Sequence, residues 1–512
     1  MDDRTGSRRW TAAADGGERP AHTTAALARP FTRRQFLGGV SVVMAGAALE
    51  ACAQPTTSLA PPPSASVAPP PSASPPGAVV LRNATVLTMD PDRRTADAVA
   101  IAGDTITAVG TEAEVLAAAG STATIVDVGG RILMPGFNDA HCHRIGDRDI
   151  SGYASAEAAI EDALAGGWTS ISELFVSQER LDELRALDEA NALRLRVNCY
   201  LPVNYLDDKF GVWFGAYEPH QTFSPNLRIG GVKVFADSAW TNQMYMTEPH
   251  TDRPDYLGDV YWTRDELHDM VRSLHDDGWQ VSTHTCGDAA HDLVLDAYEA
   301  ALAGASNADH RHRIEHVMAV RDDQVQRMRD LSILASFQLS WFTPDTTPDV
   351  EGTLGPERVA WVGRWRDLLE AGVPTVASTD HPYDDVTDEH ATGGRPMKAL
   401  SVATTRMAAP GQVPEPWQAA QTISVDQGLE LMTRAGAYST HEEDQKGTIS
   451  PGKLADLVVL SDDPRGVSSE GLGDVHALMT MIGGQVEYQD PGSTHFDAIA
   501  RGRPSELGRR TA

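Results

Sequence analysis

The sequence is poor in cysteine, with four in 512 residues: Cys52, Cys142, Cys199 and Cys286. Cysteines this few and this scattered exclude a fold held together by a disulfide network. Cys142 and Cys286 fall within or beside predicted strands, so we expect both to be small buried packing residues. A glycine-rich nucleotide-binding turn is also missing, which argues against an open doubly wound sheet.

Basic residues are scarce relative to acidic ones: 42 Lys and Arg against 72 Asp and Glu give a formal net charge of -30. An acidic surface repels phosphate backbones, so nucleic acid is excluded as a partner. The acidity indicates a solvated surface, with recruitment of cationic substrates as the alternative. After Cys52 no apolar run approaches the roughly 20 residues that span a bilayer, so we expect no transmembrane domain.

Residues 1–52 have the plan of an export signal. Arg33 and Arg34 precede a short apolar run from Gly38 to Leu49, which resembles a twin-arginine signal. Leu49 to Cys52 resembles a lipoprotein box, in which a lipidated Cys52 tethers the protein to a membrane in the cell envelope. Ordinary cleavage near Cys52 followed by secretion is the alternative. Residues 53–77 are nearly all Pro, Ser, Ala and Thr, which predicts an extended linker.

The folded part opens with short β-rich runs, and similar runs return near the end of the chain. Because neither set forms a stable sheet alone, residues 78–134 and 441–490 are predicted to build one small β-sandwich. Residues 491–512 are predicted to be a tail.

Residues 135–440 alternate apolar strand-like runs with helical patterns. Eight strands are predicted near residues 132–142, 168–175, 195–203, 229–236, 279–285, 313–318, 333–339 and 373–379. Helical patterns lie between them, for example over 263–277, 289–304 and 356–371. Eight βα units over roughly 300 residues predict an α/β fold, a (β/α)8 TIM barrel.

Residues of metal-ligand type recur at the ends of the predicted strands. His141-Cys142-His143 places two imidazoles on one face of a strand end, where both can reach one ion. A second pair, in His310-Arg311-His312, lies among charged residues and is interpreted as loop or strand-entry residues. Later strands contribute Lys233, His284, His316 and Asp380. Because TIM-barrel chemistry lies at the carboxyl ends of the strands, these five strands predict one metal-binding rim.

As an ordered set, the motifs around these residues resemble the amidohydrolase superfamily, particularly its family 3 branch. The motifs are Pro135 to His143, Gly231 to Asp237, His284 to Ala289, Arg313 to His316, Ser378 to Asp380 and Gly447 to Leu460. The resemblance covers most of the chain from Ala78 to about Tyr488. It implies the barrel, the sandwich built from both ends, and one or two divalent metal ions, with zinc expected.

The resemblance also implies a role for each motif residue. It implies that His141 and His143 bind the first metal, that His284 and His316 bind the second, and that a carboxylated Lys233 bridges the two. Asp380 is implied as metal ligand and proton shuttle. Two departures stand out: about 25 residues separate His143 from the second strand, where the family has a long insertion, and Asp237 is followed by Ser rather than Gly. Glu173 is therefore an alternative bridge.

The expected chemistry is hydrolysis of a small-molecule amide, cyclic amide or carbamate by metal-activated water. Asp380 would pass the water proton to the leaving nitrogen, while Glu315 and Asp288 orient the ligands. Trp240, Trp341 and Phe342 are candidates for the walls of the substrate pocket, with packing under loops as the alternative.

Two other functions stay open. A deaminase of the same superfamily uses the same ligands and releases ammonia, so the ligand residues do not separate the two reactions. An exported solute-binding lipoprotein would bind without turnover, although Asp380 beside a full ligand set argues against it. The sequence does not fix the oligomeric state, and a homo-oligomer is an open alternative.

Overall fold

The computed structural model describes residues 77–238, 241–304, 309–383 and 392–499. The predicted export signal and the linker up to Pro76 lie outside these residues. The first seven strands are β1 (Val79–Arg82), β2 (Thr85–Asp90), β3 (Arg93–Ala96), β4 (Ala98–Ala102), β5 (Thr105–Gly110), β6 (Thr124–Asp127) and β7 (Ile132–Pro135).

The described residues in the middle of the chain form the strands of the barrel and three short additional strands. They are β8 (Phe137–Cys142), β9 (Trp168–Glu173), β10 (Arg196–Pro202), β11 (Asn204–Tyr205), β12 (Asp208–Lys209), β13 (Thr222–Ser224), β14 (Leu227–Phe235), β15 (Val281–Thr285), β16 (Arg313–His316), β17 (Leu334–Gln338) and β18 (Thr375–Ser378). Eight of them pair in the parallel order β8-β9-β10-β14-β15-β16-β17-β18, while β11 and β12 form a separate hairpin and β13 pairs with β14. The predicted (β/α)8 barrel is confirmed.

The barrel closes between its first and last strands. The backbone N–H of Asp380, just after β18, donates to the carbonyl of His141 at 2.8 Å, and the N–H of His143 donates to the carbonyl of His381 at 2.8 Å. The carboxylate of Asp139 accepts the N–H of Thr379 at 2.9 Å and its hydroxyl at 2.6 Å. These contacts between β8 and the residues after β18, which we call the seam, place His141 and Asp380 at the same rim of the barrel.

The sandwich combines both ends of the folded chain. Its last three strands are β19 (Leu457–Leu460), β20 (Ala477–Ile482) and β21 (Gln485–Gln489). One sheet has the order β5-β4-β1-β6, and the other has the order β21-β20-β19-β7-β2-β3, so the second sheet mixes the two ends as predicted. A shared apolar core joins the sheets, and Phe496, from the predicted tail, is completely buried in it.

Gly136 separates the sandwich strand β7 from the barrel strand β8. Its backbone N–H donates to the carbonyl of Asp456, beside β19, at 3.0 Å. A Cβ at this position would lie 2.1 Å from Cγ2 of Thr169, so only glycine lets the chain pass between the two domains here. The single strand predicted near 132–142 is therefore two strands in different sheets.

The first described helix lies between β5 and β6 of the sandwich, and the others lie between and after the barrel strands. They are α1 (Glu112–Ala119), α2 (Ala156–Gly166), α3 (Gln178–Glu189), α4 (Arg264–Asp276), α5 (Asp288–Leu302), α6 (Asp322–Asp330), α7 (Thr347–Arg358), α8 (Trp365–Glu370), α9 (Pro396–Thr405), α10 (Pro416–Ala419), α11 (Val425–Leu431) and α12 (Arg434–Ser439). Among the described helices, none has the length and apolar composition needed to cross a membrane.

The helix predicted over 356–371 is wrong as a single element. Gly355 has φ +73° and breaks α7, and Gly363 has φ +60° between α7 and α8. By contrast, the helix predicted over 263–277 is confirmed as α4, which begins with the capping box of Thr263 and Glu266.

Candidate metal centre

Three predicted ligands meet at the seam of the barrel. Nε2 of His141 lies 3.3 Å from Nε2 of His143 and 3.2 Å from Oδ1 of Asp380, and Nε2 of His143 lies 3.4 Å from the same oxygen. Donor atoms bound about 2.1 Å from one ion at near-tetrahedral angles lie about 3.4 Å apart. All three side chains are buried, and their spacing is therefore that of a ligand set for one divalent ion.

His316 connects this triangle to a second group. Its ring centroid lies 4.9 Å from that of His141 and 4.4 Å from that of His284. Its Nδ1 lies 3.1 Å from Oε1 of Gln338 and 3.9 Å from Oδ2 of Asp380. The predicted ligands of both metals thus occupy one continuous buried cluster at the carboxyl ends of β8, β15, β16 and β18.

His284 belongs to a second group of ligand-type residues, and it is the member of that group that the sequence predicted as a ligand. Asp237, His284 and Cys286 are all buried, with ligand-type atoms within 4.8 Å of one another. Nε2 of His284 lies 3.2 Å from the carbonyl of Ser238 and 3.1 Å from Sγ of Cys286. A histidine whose Nε2–H donates to a carbonyl keeps Nδ1 available for a metal.

Asp237 and Cys286 did not stand out as functional residues in the sequence. Both carboxylate oxygens of Asp237 accept backbone N–H groups, from Cys286 at 2.9 Å, Gly287 at 2.8 Å and Tyr245 at 3.1 Å. Burial raises the pKa of Asp237 to about 7, although these three N–H groups act to lower it. Asp237 therefore fixes the loops after β14 and β15. In the sequence, the feature that could have indicated this role is the position of Asp237 two residues after an apolar strand.

Lys233 lies in the middle of the barrel, on β14. Its side chain is 0% exposed, and Nζ has no hydrogen-bond partner among the residues that the structure describes. Burial lowers the pKa of Lys233 to about 8, against the opposing influence of Glu315 and Asp380. An orphaned buried amine is costly, so the donor set fits a metal centre in which this nitrogen is modified or bound.

Glu315 and Arg313 fix the ring of His141 from its Nδ1 side. Oε2 of Glu315 lies 2.7 Å from Nδ1 of His141, so Nε2 is directed toward His143 and Asp380. Oε1 of Glu315 accepts the hydroxyl of Ser282 at 2.6 Å. The guanidinium of Arg313 pairs with both oxygens of Glu315, and donates to the carbonyl of Ala140 at 2.7 Å. Glu315, which was predicted to orient the ligands, therefore contacts one of them, His141.

The electrostatics of the site favour neutral His284 and His316 beside an ionised Asp380. Burial acts to lower the pKa of His143, but its hydrogen bond with Asp380 raises that pKa above the usual value. Burial lowers the pKa of His316 to about 3 and that of His284 well below its usual value. Burial opposes ionisation of Asp380, but the neighbouring His141 and His143 hold its pKa well below the usual range. Neutral histidine and ionised carboxylate are the forms that bind divalent metals.

The backbone at two of these residues is strained. His316 has φ +73° and Asp380 has φ +59°, in the left-handed region that non-glycine residues rarely adopt. The N–H of Asp380 is anchored to His141 across the seam. Strained backbone at the ends of two barrel strands is typical of functional sites.

Glu173 and Asp288 form their hydrogen bonds with groups other than the predicted ligands. The carboxylate of Glu173 accepts the N–H of Ile145 at 3.1 Å and that of Gly146 at 2.6 Å, so it holds the loop after His143. Burial raises the pKa of Glu173 to about 7, although the Gly146 N–H acts to lower it. Asp288, at the start of α5, accepts the N–H of Thr247 at 3.0 Å and pairs with Arg321 at 2.6 Å. It contacts these groups rather than the predicted ligands.

The three predicted pocket aromatics have different positions. Trp341 stacks on His316 at 5.2 Å with an interplanar angle of 5°, so it lies at the metal centre. Phe342 is 4% exposed and packs against Trp341 and Gly363, which matches the packing alternative. Trp240 lies outside the described residues. The pair in His310-Arg311-His312 precedes β16 at the opposite end of the barrel, as predicted for strand-entry residues.

Known proteins resemble the chain in sequence and in fold. The chain is 29% identical over 264 residues to "Protein LONG AFTER FAR-RED 3" of Arabidopsis thaliana, covering 51% of this chain and 43% of the relative. It is 28% identical over 276 residues to the N-substituted formamide deformylase of Arthrobacter pascens, covering 52% of this chain and 47% of the relative. The alignments thus span about half the length of these relatives.

A solved structure, titled an uncharacterized metal-dependent hydrolase from Pyrococcus horikoshii OT3, matches with a TM-score of 0.65 at 21% identity. It covers 77% of this chain and 99% of its own, and at this identity the likeness concerns the fold. The model of the amidohydrolase family matches residues 152–488, which is more than half of the chain. The chain therefore belongs to the amidohydrolase family.

Proposed function

We propose that this amidohydrolase cleaves a carbon–nitrogen bond in a non-peptide amide, cyclic amide or carbamate of a small-molecule substrate. The observation that carries the proposal is the triangle of His141, His143 and Asp380, whose donor atoms lie 3.2 to 3.4 Å apart. The name of the Arthrobacter relative, an N-substituted formamide deformylase, places N-acyl amines among the first compounds to try.

The residues that would hold metal are the ones implied by the sequence. His141, His143 and Asp380 would bind one ion, and His284 and His316 would bind a second, with Lys233 between them as a carbamate. Nitrogen and oxygen donors in this number suit zinc. A bound divalent metal supplies Lewis acidity, which acidifies water and polarises the substrate carbonyl.

The chain's own acid–base chemistry would rest on Asp380. Its carboxylate is buried and held ionised by the neighbouring imidazoles, so it can accept a proton from the attacking water. The same oxygen would then deliver that proton to the nitrogen of the leaving amine. Glu315 and Arg313 keep the ring of His141 in one tautomer and one orientation while the proton moves.

Metal analysis and an activity screen test the proposal together. Purified protein should contain one or two equivalents of divalent metal, and it should release an amine and an acid from at least one N-acyl, cyclic amide or carbamate compound. Chelation should abolish turnover, and zinc should restore it. Release of ammonia instead would identify a deaminase, and tight binding of a compound without turnover would identify a solute-binding protein.

We also propose that the protein is exported through the folded-protein route, because Arg33 and Arg34 precede an apolar run. Changing both residues to Lys should leave the precursor in the cytoplasm, as measured by cell fractionation. Normal export of the double variant would contradict the twin-arginine proposal.

Lipidation of Cys52 is a separate proposal, since Leu49 to Cys52 resembles a lipoprotein box. The variant Cys52→Ala should leave the membrane fraction and become soluble. A wild-type protein that is already soluble, or a variant that stays with the membrane, would favour plain secretion or another anchor.

A further inference from the structure

Four aromatic side chains extend from the candidate metal centre to the surface, and we call them the aromatic wall: Phe235, Phe175, Tyr205 and Phe210. Phe235 begins the wall at the reaction centre, because its ring stacks on His284 at 5.0 Å and Nζ of Lys233 lies 4.9 Å from its centroid. The wall ends at the surface, where Tyr205 is 49% and Phe210 is 44% exposed. It is continuous from the buried ligands to solvent.

Edge-to-face contacts hold the wall together. Phe175 lies 5.5 Å from Tyr205, 6.0 Å from Phe210 and 6.1 Å from Phe235, and Tyr205 lies 5.6 Å from Phe235. These are the separations that aromatic pairs prefer. The rings therefore form one ordered apolar surface, and the exposed edges at Tyr205 and Phe210 are supported from beneath.

The hairpin of β11 and β12 is fixed to the end of the barrel strand that carries Phe235. The side chain of Asn204 accepts the N–H of Phe235 at 2.9 Å and donates to its carbonyl at 3.0 Å. Trp262 also donates to that carbonyl, at 2.8 Å. Tyr205 follows Asn204 directly, so this pair of hydrogen bonds sets its distance from the metal centre.

The charges around the wall do not suit an anionic substrate. Asp207 and Asp208 are exposed on the hairpin between Tyr205 and Phe210. Lys209 lies 3.2 Å from Glu266 and over the ring of Trp262, and Arg148, on the loop after β8, pairs with Glu183 at 3.0 Å. Both cations are already neutralised, whereas the two hairpin carboxylates would repel a substrate carboxylate.

We propose that the aromatic wall binds an uncharged apolar substituent, preferentially a planar ring, on the amide or carbamate substrate. This inference rests on the proposed function for the position of the scissile bond. A ring seated against Phe235 lies beside His284 and Lys233, and its outer edge is covered by Tyr205 and Phe210. Apolar walls that converge on a few polar groups are typical of small-molecule sites.

The test compares four probes: N-methylacetamide, N-benzylacetamide, N-methylbenzamide and 4-(acetamidomethyl)benzoate. We expect a higher kcat/KM for the two neutral aromatic probes than for N-methylacetamide, and a lower value for the benzoate than for N-benzylacetamide. In Tyr205→Ala and in Phe210→Ala, the preference for the better aromatic probe over N-methylacetamide should fall about threefold to tenfold, the range for loss of one aromatic contact.

Tyr438→Ala is the matched control, because Tyr438 is 37% exposed and packs on Arg311 near the opposite end of the barrel. It should keep the wild-type preference. Circular dichroism and thermal unfolding identify variants that are still folded. An unchanged preference in both folded wall variants would overturn the inference.

Calorimetric titration with N-benzylacetamide separates this inference from the proposed function. Binding that weakens in Tyr205→Ala, without turnover of any probe, would support the wall and count against amide hydrolysis. Hydrolysis of the probes, with the same preference in the wild type and in the wall variants, would support amide hydrolysis and count against the wall. Absence of both binding and turnover would overturn the wall itself.

Discussion

Nδ1 of His141 lies 2.7 Å from Oε2 of Glu315, and both side chains are completely buried. A neutral imidazole at His141 would carry its proton on Nδ1, facing Glu315, and would direct the lone pair of Nε2 toward His143 and Asp380. Arg313 pairs with the same carboxylate from the other side and holds its pKa well below the usual range, although burial acts to raise it. One ionised carboxylate therefore orients a predicted ligand and neutralises a buried guanidinium.

The variant Glu315→Gln should lose metal affinity by about 10-fold to 100-fold, because the contact that orients His141 loses its charge. It should also destabilise the fold by about 3 to 5 kcal/mol, since Arg313 is left buried without its counter-charge. Titration with a metal-sensitive dye measures the first effect, and chemical unfolding of metal-free protein measures the second.

Glu443→Gln is the matched control for that variant. Glu443 also pairs with an arginine, Arg311, at 2.6 and 2.8 Å, but at the opposite end of the barrel and with its side chain 34% exposed. It should lower stability by less and leave metal affinity at the wild-type value. Equal metal loss in the two variants would show that Glu315 acts only through global stability.

The barrel was predictable because its strands are buried on both faces. Strands such as β10 and β14 therefore carry apolar residues at most of their positions, and helical patterns separate the strands. The domain boundary predicted after residue 134 lies close to the break at Gly136, but the same stretch was also predicted to form one strand near 132–142, so the break within that strand was missed. Which sheet each half enters depends on contacts with Asp456 and Thr169, far away in the sequence.

The site was predictable where strand ends carry ligand-type residues, as at His141 and Asp380. Asp237 was harder, since its role depends on backbone N–H groups from two loops that no local pattern reveals. The aromatic wall was not predictable at all. Phe175, Tyr205 and Phe235 come from three different segments, and the hydrogen bonds of Asn204 help to hold the hairpin at the end of β14.

The variant Lys233→Ala should lose bound metal, because the proposed carbamate would supply an oxygen to each ion. Short carboxylic acids such as propionate should restore part of the metal content and part of the activity. Elemental analysis measures the metal, and turnover of the best screened substrate measures the activity. Full metal content in the variant would contradict the bridging role.

Lys446→Ala is the control for that experiment. Lys446 is 3% exposed, but its Nζ lies 2.9 Å from Glu442 and 2.7 Å from the hydroxyl of Ser170. It is thus a buried lysine whose charge is already neutralised. Its loss should lower stability without any rescue by propionate.

Stability should fall at acidic pH through His312. Its Nδ1 accepts the N–H of Val281 at 3.1 Å and its Nε2 lies 2.9 Å from Nδ1 of His275, and burial holds the pKa of His312 well below its usual value. Below about pH 6.5 the imidazole of His312 binds a proton in the unfolded chain but not in the folded protein. The free energy of unfolding therefore keeps its full value above that pH. It decreases as the pH falls further, by up to about 1.4 kcal/mol per pH unit.

The variant His312→Gln should flatten this dependence, because glutamine takes up no proton in the unfolded chain. Chemical unfolding of metal-free protein between pH 5 and 7 measures the slope. His476→Gln is the control, since His476 is exposed, and it should keep the wild-type slope. Identical slopes in His312→Gln and wild type would assign the acid sensitivity to other buried histidines.

Asp380→Asn should keep the fold and most of the bound metal while kcat falls by about 10² to 10⁴. Asparagine retains the size of the side chain and one oxygen for the ligand triangle, but it cannot accept the proton of the attacking water. The backbone N–H that anchors residue 380 to His141 is also unaffected. Steady-state kinetics with elemental analysis of the same preparation separates loss of the base from loss of metal.

His381 is the rival base, because it adjoins Asp380 and histidine is the side chain that most often acts as a general base. The structure separates the two side chains: Nε2 of His381 lies 3.1 Å from the hydroxyl of Ser151 and 3.3 Å from that of Tyr153. Oδ1 of Asp380 instead lies 3.2 Å from Nε2 of His141. His381→Asn should therefore keep near-normal turnover beside an inactive Asp380→Asn. The reverse pattern would assign proton transfer to His381, and it would require the side chain to leave Ser151 and Tyr153 during the reaction.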